Sequence, residues 1–197
     1  TATSHDRVIL VETMGHRTGW LALGSGIAGG ADVILIPEIP YDIEAVADYL
    51  LERQRRYGKK FSIVAVAEGA QTQEESKKSV SKAAQRTNKA PAAEESIDIH
   101  EYKLVKESLA SRLARQIQVL TRTEARVTAL GHVQRGGAPS SRDRLLATKL
   151  GTKAVALMAD GTFNVMVASR GIEVVPVPLT DVAGVRNVVT LDHPLIS

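Results

Sequence analysis

Histidine and arginine stand three residues apart in Leu130-Gly131-His132-Val133-Gln134-Arg135-Gly136-Gly137, a stretch bracketed by glycine and followed by Pro139. Arginine presents a planar fork of N–H donors suited to a phosphate, and histidine adds a donor that titrates near neutral pH. The β-favouring run Ala125 to Leu130 leads into this stretch, so the pair is predicted to sit on a tight turn at the end of a buried strand. In an open α/β sheet, ligands bind beyond the carboxyl ends of the strands. Two basic residues that merely brace a turn would fit the same pattern, and spacing alone leaves both readings open.

Other residues able to grip an anionic, hydroxylated ligand begin or follow predicted strands: Arg7, the Met14-Gly15 turn, Glu68 and Arg126. Two or more arginines with a histidine suit a phosphate, and a carboxylate suits hydroxyl groups, which together describe a site for a phosphorylated sugar. Each has a plainer alternative. Glu68 could cap the helix that follows it, Arg7 and Arg126 could form ordinary ion pairs, and Met14 and Trp20 could simply pack. The remaining histidines (His5, His16, His100, His193) lack metal-ligand spacing, so no metal site is expected.

Four segments are predicted to be strands that position these residues: Arg7 to Glu12, Val33 to Ile36, Phe61 to Ala67 and Ala125 to Leu130. Between them lie helical patterns. Trp20 to Ile27 has Thr18 as its expected N-cap, and Tyr41 to Arg56 carries Ile43, Val46, Ala47, Leu50 and Leu51 on one face, with Gly58 ending it. Tyr102 to Leu120 places Leu104, Val105, Leu109, Leu113, Ile117 and Leu120 on one stripe, and Arg142 to Met158 is expected to turn Leu145, Leu146, Leu150, Val155 and Leu157 inward. Phe163 to Ala168 and Ile172 to Val175 read as a hairpin. Gln71 to about His100 is poor in large apolar residues, and a mobile or weakly helical insertion is expected there. The strand–helix alternation argues for βαβ units, an α/β fold with a mainly parallel sheet.

Composition narrows the classes. The 197 residues are 44% hydrophobic and 24% charged, as in a globular domain. Aromatics are only 4%, and no basic run is interleaved with them, so a nucleic-acid stacking platform is not expected. No apolar run approaches a membrane span, and Thr1 to Arg7 does not read as a signal peptide. The absence of cysteine removes thiolate chemistry and is compatible with a cytoplasmic location. The abrupt ends at Thr1 and Ser197 suggest a fragment, natural or experimental.

Ser4-His5-Asp6-Arg7, Val11-Glu12-Thr13-Met14-Gly15, Ala28-Gly29-Gly30, Val66-Ala67-Glu68 and Leu130 to Gly137 resemble, in order, motifs of the 6-phosphofructokinases. The resemblance covers nearly the whole chain outside 71–100 and identifies it with the carboxyl-terminal, substrate-binding part of such an enzyme. It implies a three-layer αβα fold and, for the parent, phosphoryl transfer to C1 of fructose 6-phosphate in glycolysis, from ATP or pyrophosphate with Mg²⁺. Met14 and Gly15 would line the sugar site, with His16 beside them. Glu68 would bind sugar hydroxyls, His132 the substrate phosphate, and Arg135 the sugar or the transferring group. Arg7 and Arg126 match the two arginines that reach into a neighbouring subunit's site, which implies a homo-oligomer, dimer or tetramer, with shared sites. Asp32 and Lys59 match effector-site positions of the allosteric bacterial members.

Three features depart from the pattern. The family places arginine directly after Met-Gly, where this chain has His16 and then Arg17; Tyr57 stands where a second effector lysine is expected; and the segment after Glu68 is longer than in the short bacterial members. No G-x-x-x-x-G-K-S/T loop and no G-x-G-x-x-G opening a helix occurs here. The family's nucleotide loops, general base and Mg²⁺ carboxylate would lie upstream of Thr1, so the isolated chain is expected to be inactive. The alternative is a non-catalytic sugar-phosphate or effector-binding subunit.

Overall fold

The computed structural model describes residues 2–78 and 107–196, which form two compact units, Thr1–Gln134 with Val188–Ser197, and Arg135–Asn187. The first unit holds α1 (Ala2–His5), β1 (Val8–Thr13), α2 (Trp20–Ala28), β2 (Val33–Leu35), α3 (Ile43–Tyr57), β3 (Ser62–Ala67), α4 (Leu109–Thr121) and β4 (Ala125–Ala129). The strands make one wholly parallel sheet in the order β2-β3-β1-β4. Its register sets Val8 opposite Ser62 and Ala125, and Thr13 opposite Ala67, so β1, β3 and β4 start together and end within a residue of one another, while the short β2 pairs with Val64 to Val66.

Strand alternation sends Val8 and Leu10 of β1, with Val64 and Val66 of β3, to one face, where Leu50 of α3 and Leu113 and Ile117 of α4 bury them. The other face takes Ala67, covered by Ala22 and Leu23 of α2 and by Val189 from the carboxyl-terminal segment. This is the expected three-layer arrangement. Helix α2 lies so close to the sheet that a Cβ on Gly26 would stand 2.7 Å from the Ile34 side chain.

Local signals account for the helix ends. The Asp42 side chain accepts the Glu44 N–H at the start of α3, and Gly58 closes the helix in the left-handed region at φ 63°. The expected Thr18 cap is not used: Gly19 is the N-cap of α2, and its N–H goes to the Glu38 carboxylate at 3.0 Å. The same oxygen accepts the Val189 N–H at 3.0 Å, so Glu38 ties the helix start to the carboxyl-terminal segment.

Two burial expectations are corrected. Strand β4 is an edge strand, and Thr128 and Ala129 are exposed rather than buried. In the second unit, α5 (Ser141–Ala159) is capped by a Ser140–Asp143 box, and β5 (Val165–Arg170) pairs antiparallel with β6 (Glu173–Pro178), followed by α6 (Leu179–Val182). Leu157 is buried, but Leu145, Leu146 and Val155 are exposed, because a two-stranded ribbon can cover only one strip of a 19-residue helix. The hairpin itself forms as expected. On α4, Leu113 and Ile117 are buried but Leu120 is 42% exposed; Leu104 and Val105 lie outside the described residues. The insertion starts with residues 73–78 as helix, capped by reciprocal Thr72–Glu75 bonds of 3.1 Å, and its remainder to His100 lies outside the described residues.

Candidate functional site

Because β1, β3 and β4 run parallel and in register, the residues just beyond them converge at one sheet edge. The Glu68 N–H donates to the Thr13 carbonyl at 3.0 Å, and the Leu130 N–H to the Glu12 carbonyl at 3.0 Å, so each strand's continuation is held against its neighbour's. Past these bonds lie Met14 and Gly15 after β1, Glu68 and Gly69 after β3, and the 3₁₀ turn Gly131–Arg135 after β4. Gln134 of that turn accepts the Met14 N–H on Oε1 at 2.7 Å.

Glycine permits the close approach here. The Gly69 N–H donates to the Gly15 carbonyl at 3.3 Å, and a Cβ on Gly69 would overlap the backbone carbonyl of His16. Gly15 adopts φ 138°, a conformation that side chains resist, with the Thr18 carbonyl 2.7 Å from where its Cβ would be. Met14 is half-buried beside this contact, and the side chains of His16, Glu68 and His132 are exposed at the edge. Glu68 does not cap the following helix, whose cap is Thr72 with Glu75. Arg135 closes the 3₁₀ turn, is exposed, and opens the second compact unit.

Arg7 and Arg126 lie at the opposite edge. Arg7 precedes β1, Arg126 is the second residue of β4, and six strand residues separate Arg7 from Met14, roughly 20 Å at the usual rise. The two arginines share one acceptor, Glu124. Arg7 Nε donates to its Oε2 at 2.6 Å, while Arg126 Nε donates to Oε1 at 2.8 Å and Nη2 stands 2.6 Å from the same oxygen. The hydrogen bond from Arg7 is the largest influence on the Glu124 carboxyl; desolvation opposes it, the hydrogen bond and charge of Arg126 add to it, and the carboxyl is held below its ordinary range. Asp32 and Lys59 lie on the same amino side of the sheet. The Asp32 carboxylate is ion-paired to Arg53 and accepts the Ile63 N–H at 2.8 Å, and Lys59 borders a water-sized cavity of about 10 Å³ with Gln54 and Ser62.

Sequence reasoning did not assign Glu124 or Gln134 a part. Glu124 had a usable signal, since residues i and i+2 of an extended segment share a face, which sets Glu124 beside Arg126. Gln134 had none beyond membership of its motif, because its partner lies 120 residues away. Trp20 packs, edge-on to His193 with ring centres 4.9 Å apart. Among the described residues no group of three histidine or acidic side chains could hold a metal ion, and no helix is long and apolar enough to cross a membrane.

Comparison with known proteins agrees with the motif order. The sequence profile of the family described as Phosphofructokinase matches residues 1–158. A protein from Propionibacterium freudenreichii named ATP-dependent 6-phosphofructokinase is 48% identical over the whole chain, which covers 53% of that protein; a Spirochaeta thermophila protein of the same name is 48% identical, with 50% of its length covered. The chain thus spans about half the length of these relatives. Among solved structures, the T-state phosphofructokinase of Pichia pastoris aligns with TM-score 0.64 at 32% identity, over 92% of this chain and 17% of that one. A pyrophosphate-dependent phosphofructokinase from Nitrosospira multiformis shares the fold, with TM-score 0.69 at 19% identity over 96% of this chain and 44% of that one. The strand-end motifs, the fold and the profile agree that this chain belongs to the phosphofructokinase family.

Proposed function

We propose that the full-length protein carrying this chain transfers a phosphoryl group to C1 of fructose 6-phosphate, and that this chain supplies the sugar-phosphate site. The observation that carries the proposal is the split of the site residues between the two edges of one parallel sheet. Met14, Gly15, Glu68 and residues 131–134 of the turn gather at the carboxyl edge, with Arg135 next in sequence, and Arg7 and Arg126 lie at the amino edge. A single sugar phosphate cannot bridge roughly 20 Å, so the arginines serve the site of a neighbouring copy. Each complete site then combines one subunit's carboxyl edge with another's arginine pair, and homo-oligomerisation is a condition of activity.

In this reading Glu68 accepts hydrogen bonds from sugar hydroxyls, and Met14 and Gly15 shape the sugar pocket against His16. His132 and the partner's arginine pair hold the 6-phosphate. Arg135 offers its fork to the oxygens of the moving phosphoryl group, where positioning and electrostatic stabilisation make up most of the catalysis. The donor is ATP, as the names of the relatives at 48% identity suggest. Among the described residues no histidine or acidic cluster fits Mg²⁺, and neither glycine-rich nucleotide motif occurs in the sequence, so the binding of ATP and Mg²⁺ belongs in this reading to the rest of the full-length protein.

Subunit mixing tests the proposal. Arg7→Ala and Glu68→Ala variants of the full-length protein, each expected to be nearly inactive at low fructose 6-phosphate concentration, are dissociated, mixed and reassociated. Recovery of fructose 6-phosphate phosphorylation supports the shared site, because some sites then draw both intact halves from different subunits. No recovery at any ratio overturns it. Sugar binding without turnover from either ATP or pyrophosphate would establish instead a non-catalytic subunit.

A further inference from the structure

Arg7 and Arg126 come from segments more than a hundred residues apart, and the same carboxylate holds both. Glu124 stands immediately before β4 and offers one oxygen to each arginine, at 2.6 Å to Arg7 and at 2.6 and 2.8 Å to Arg126. Arg7 is engaged through Nε, and Arg126 through the Nε–Nη2 side of its fork. Among the described residues, the terminal nitrogens of Arg7 and the Nη1 of Arg126 meet no other acceptor, which leaves those donors to a ligand. A guanidinium is rigid and planar, so fixing one side of the fork also fixes where the remaining donors point. The site is open to water, with Glu124 and Arg126 side chains 42% and 62% exposed, and a lone exposed ion pair contributes little to stability. Its value lies in arrangement.

We propose that Glu124 is a positioning residue that sets Arg7 and Arg126 side by side as one clamp for the 6-phosphate, an inference that rests on the reading of these arginines given above. Long side chains lose rotamer freedom when they grip a ligand, and a protein that orders them beforehand spares the ligand that cost. The carboxylate also opposes binding, because its negative charge stands near an incoming phosphate. The two effects have opposite signs on removal: lost ordering weakens substrate binding, whereas lost repulsion tightens it. Salt screens little at so short a separation, but at this exposed position the high dielectric of water weakens the repulsion, and in this proposal the ordering of two arginines is the larger effect.

Steady-state kinetics of the full-length protein decide the matter. Glu124→Gln keeps the shape but offers a single acceptor oxygen, and is expected to raise KM for fructose 6-phosphate about tenfold, with kcat within about twofold of wild type. Glu124→Asp, which keeps both oxygens, falls between the two. In an Arg7→Ala background the effect of Glu124→Gln shrinks, because only one arginine remains to be placed. Glu107→Gln, at another exposed glutamate paired to an arginine, leaves KM unchanged. If Arg7→Ala and Arg126→Ala themselves leave KM unaltered, the phosphate-clamp reading falls and the inference with it. If they raise KM while Glu124→Gln leaves it unchanged or lowers it, the inference alone is overturned.

Discussion

Gln134 reaches from the turn after β4 to the loop after β1, where its Oε1 accepts the Met14 N–H at 2.7 Å. The sheet ladder has ended by this point, and without the glutamine that half-buried N–H would lack its acceptor. One side chain therefore registers two loops of the proposed sugar site against each other. Gln134→Ala is expected to cost about 1 kcal/mol of stability, the usual net value of such a bond. It should also raise KM for fructose 6-phosphate, since Met14 and Gly15 lose their fixed place. Gln134→Glu keeps an acceptor and should restore most of the stability. Denaturant melts with parallel kinetics check this, and an alanine variant identical to wild type in both would refute it.

Two glycines with contrasting surroundings give a stability test. Gly69→Ala would drive a methyl group into the His16 backbone, which no side-chain rotation relieves, and is expected to destabilise by about 1–3 kcal/mol. Gly24 lies in α2, where an added Cβ would meet nothing within 4 Å, so Gly24→Ala should stabilise by about 0.5–1 kcal/mol through helix propensity. Thermal melts of the two variants should move in opposite directions. If both fall, α2 has no room for the methyl group at Gly24.

Particular residues show what was legible in advance. The apolar stripe of α3 and the stop at Gly58 are local patterns, and both appear where periodicity and capping put them. The edge position of β4 was not legible, because β propensity does not say which strand lies outermost. Leu145 and Val155 follow a helical pattern correctly, yet only packing decides whether a pattern is covered. The strand-end residues Met14, Glu68 and Leu130 could be placed together because parallel topology converges strand ends. Glu38, which accepts the Gly19 N–H at the start of α2, acts across 19 residues and left no local trace.

The Asp32–Arg53 pair is well enclosed, with side chains 13% and 11% exposed, and Arg53 also donates to the Phe61 carbonyl at 2.6 Å. Removing one partner strands the other's charge in a site that water reaches poorly. Arg53→Met is therefore expected to cost on the order of 3 kcal/mol, while the double variant Arg53→Met/Asp32→Asn recovers a good part of it. Denaturation midpoints of the two single variants and the double variant measure the coupling. Simple additivity would show that the pair does not act as a unit.

Acid should release the arginine pair at the other end of the sheet. The Glu124 carboxyl is held below its ordinary value of 4.5, first by the hydrogen bond from Arg7 and then by Arg126. A carboxyl depressed in the folded protein adds stability above its unfolded pKa, and that contribution is lost as pH falls through the lower folded value. The window thus lies on the acid side of 4.5, and near neutral pH the carboxylate stays charged and both arginines stay in place. Carbon-detected NMR of the Glu124 carboxyl should give a midpoint below 4.5 in wild type. Arg7→Ala and Arg126→Ala should each move that midpoint back toward the ordinary value, because each removes a hydrogen bond and a positive charge from the carboxylate. A wild-type midpoint at the ordinary value, or no shift on removing one of the two arginines, would show that the carboxylate is not shared in the way the geometry requires.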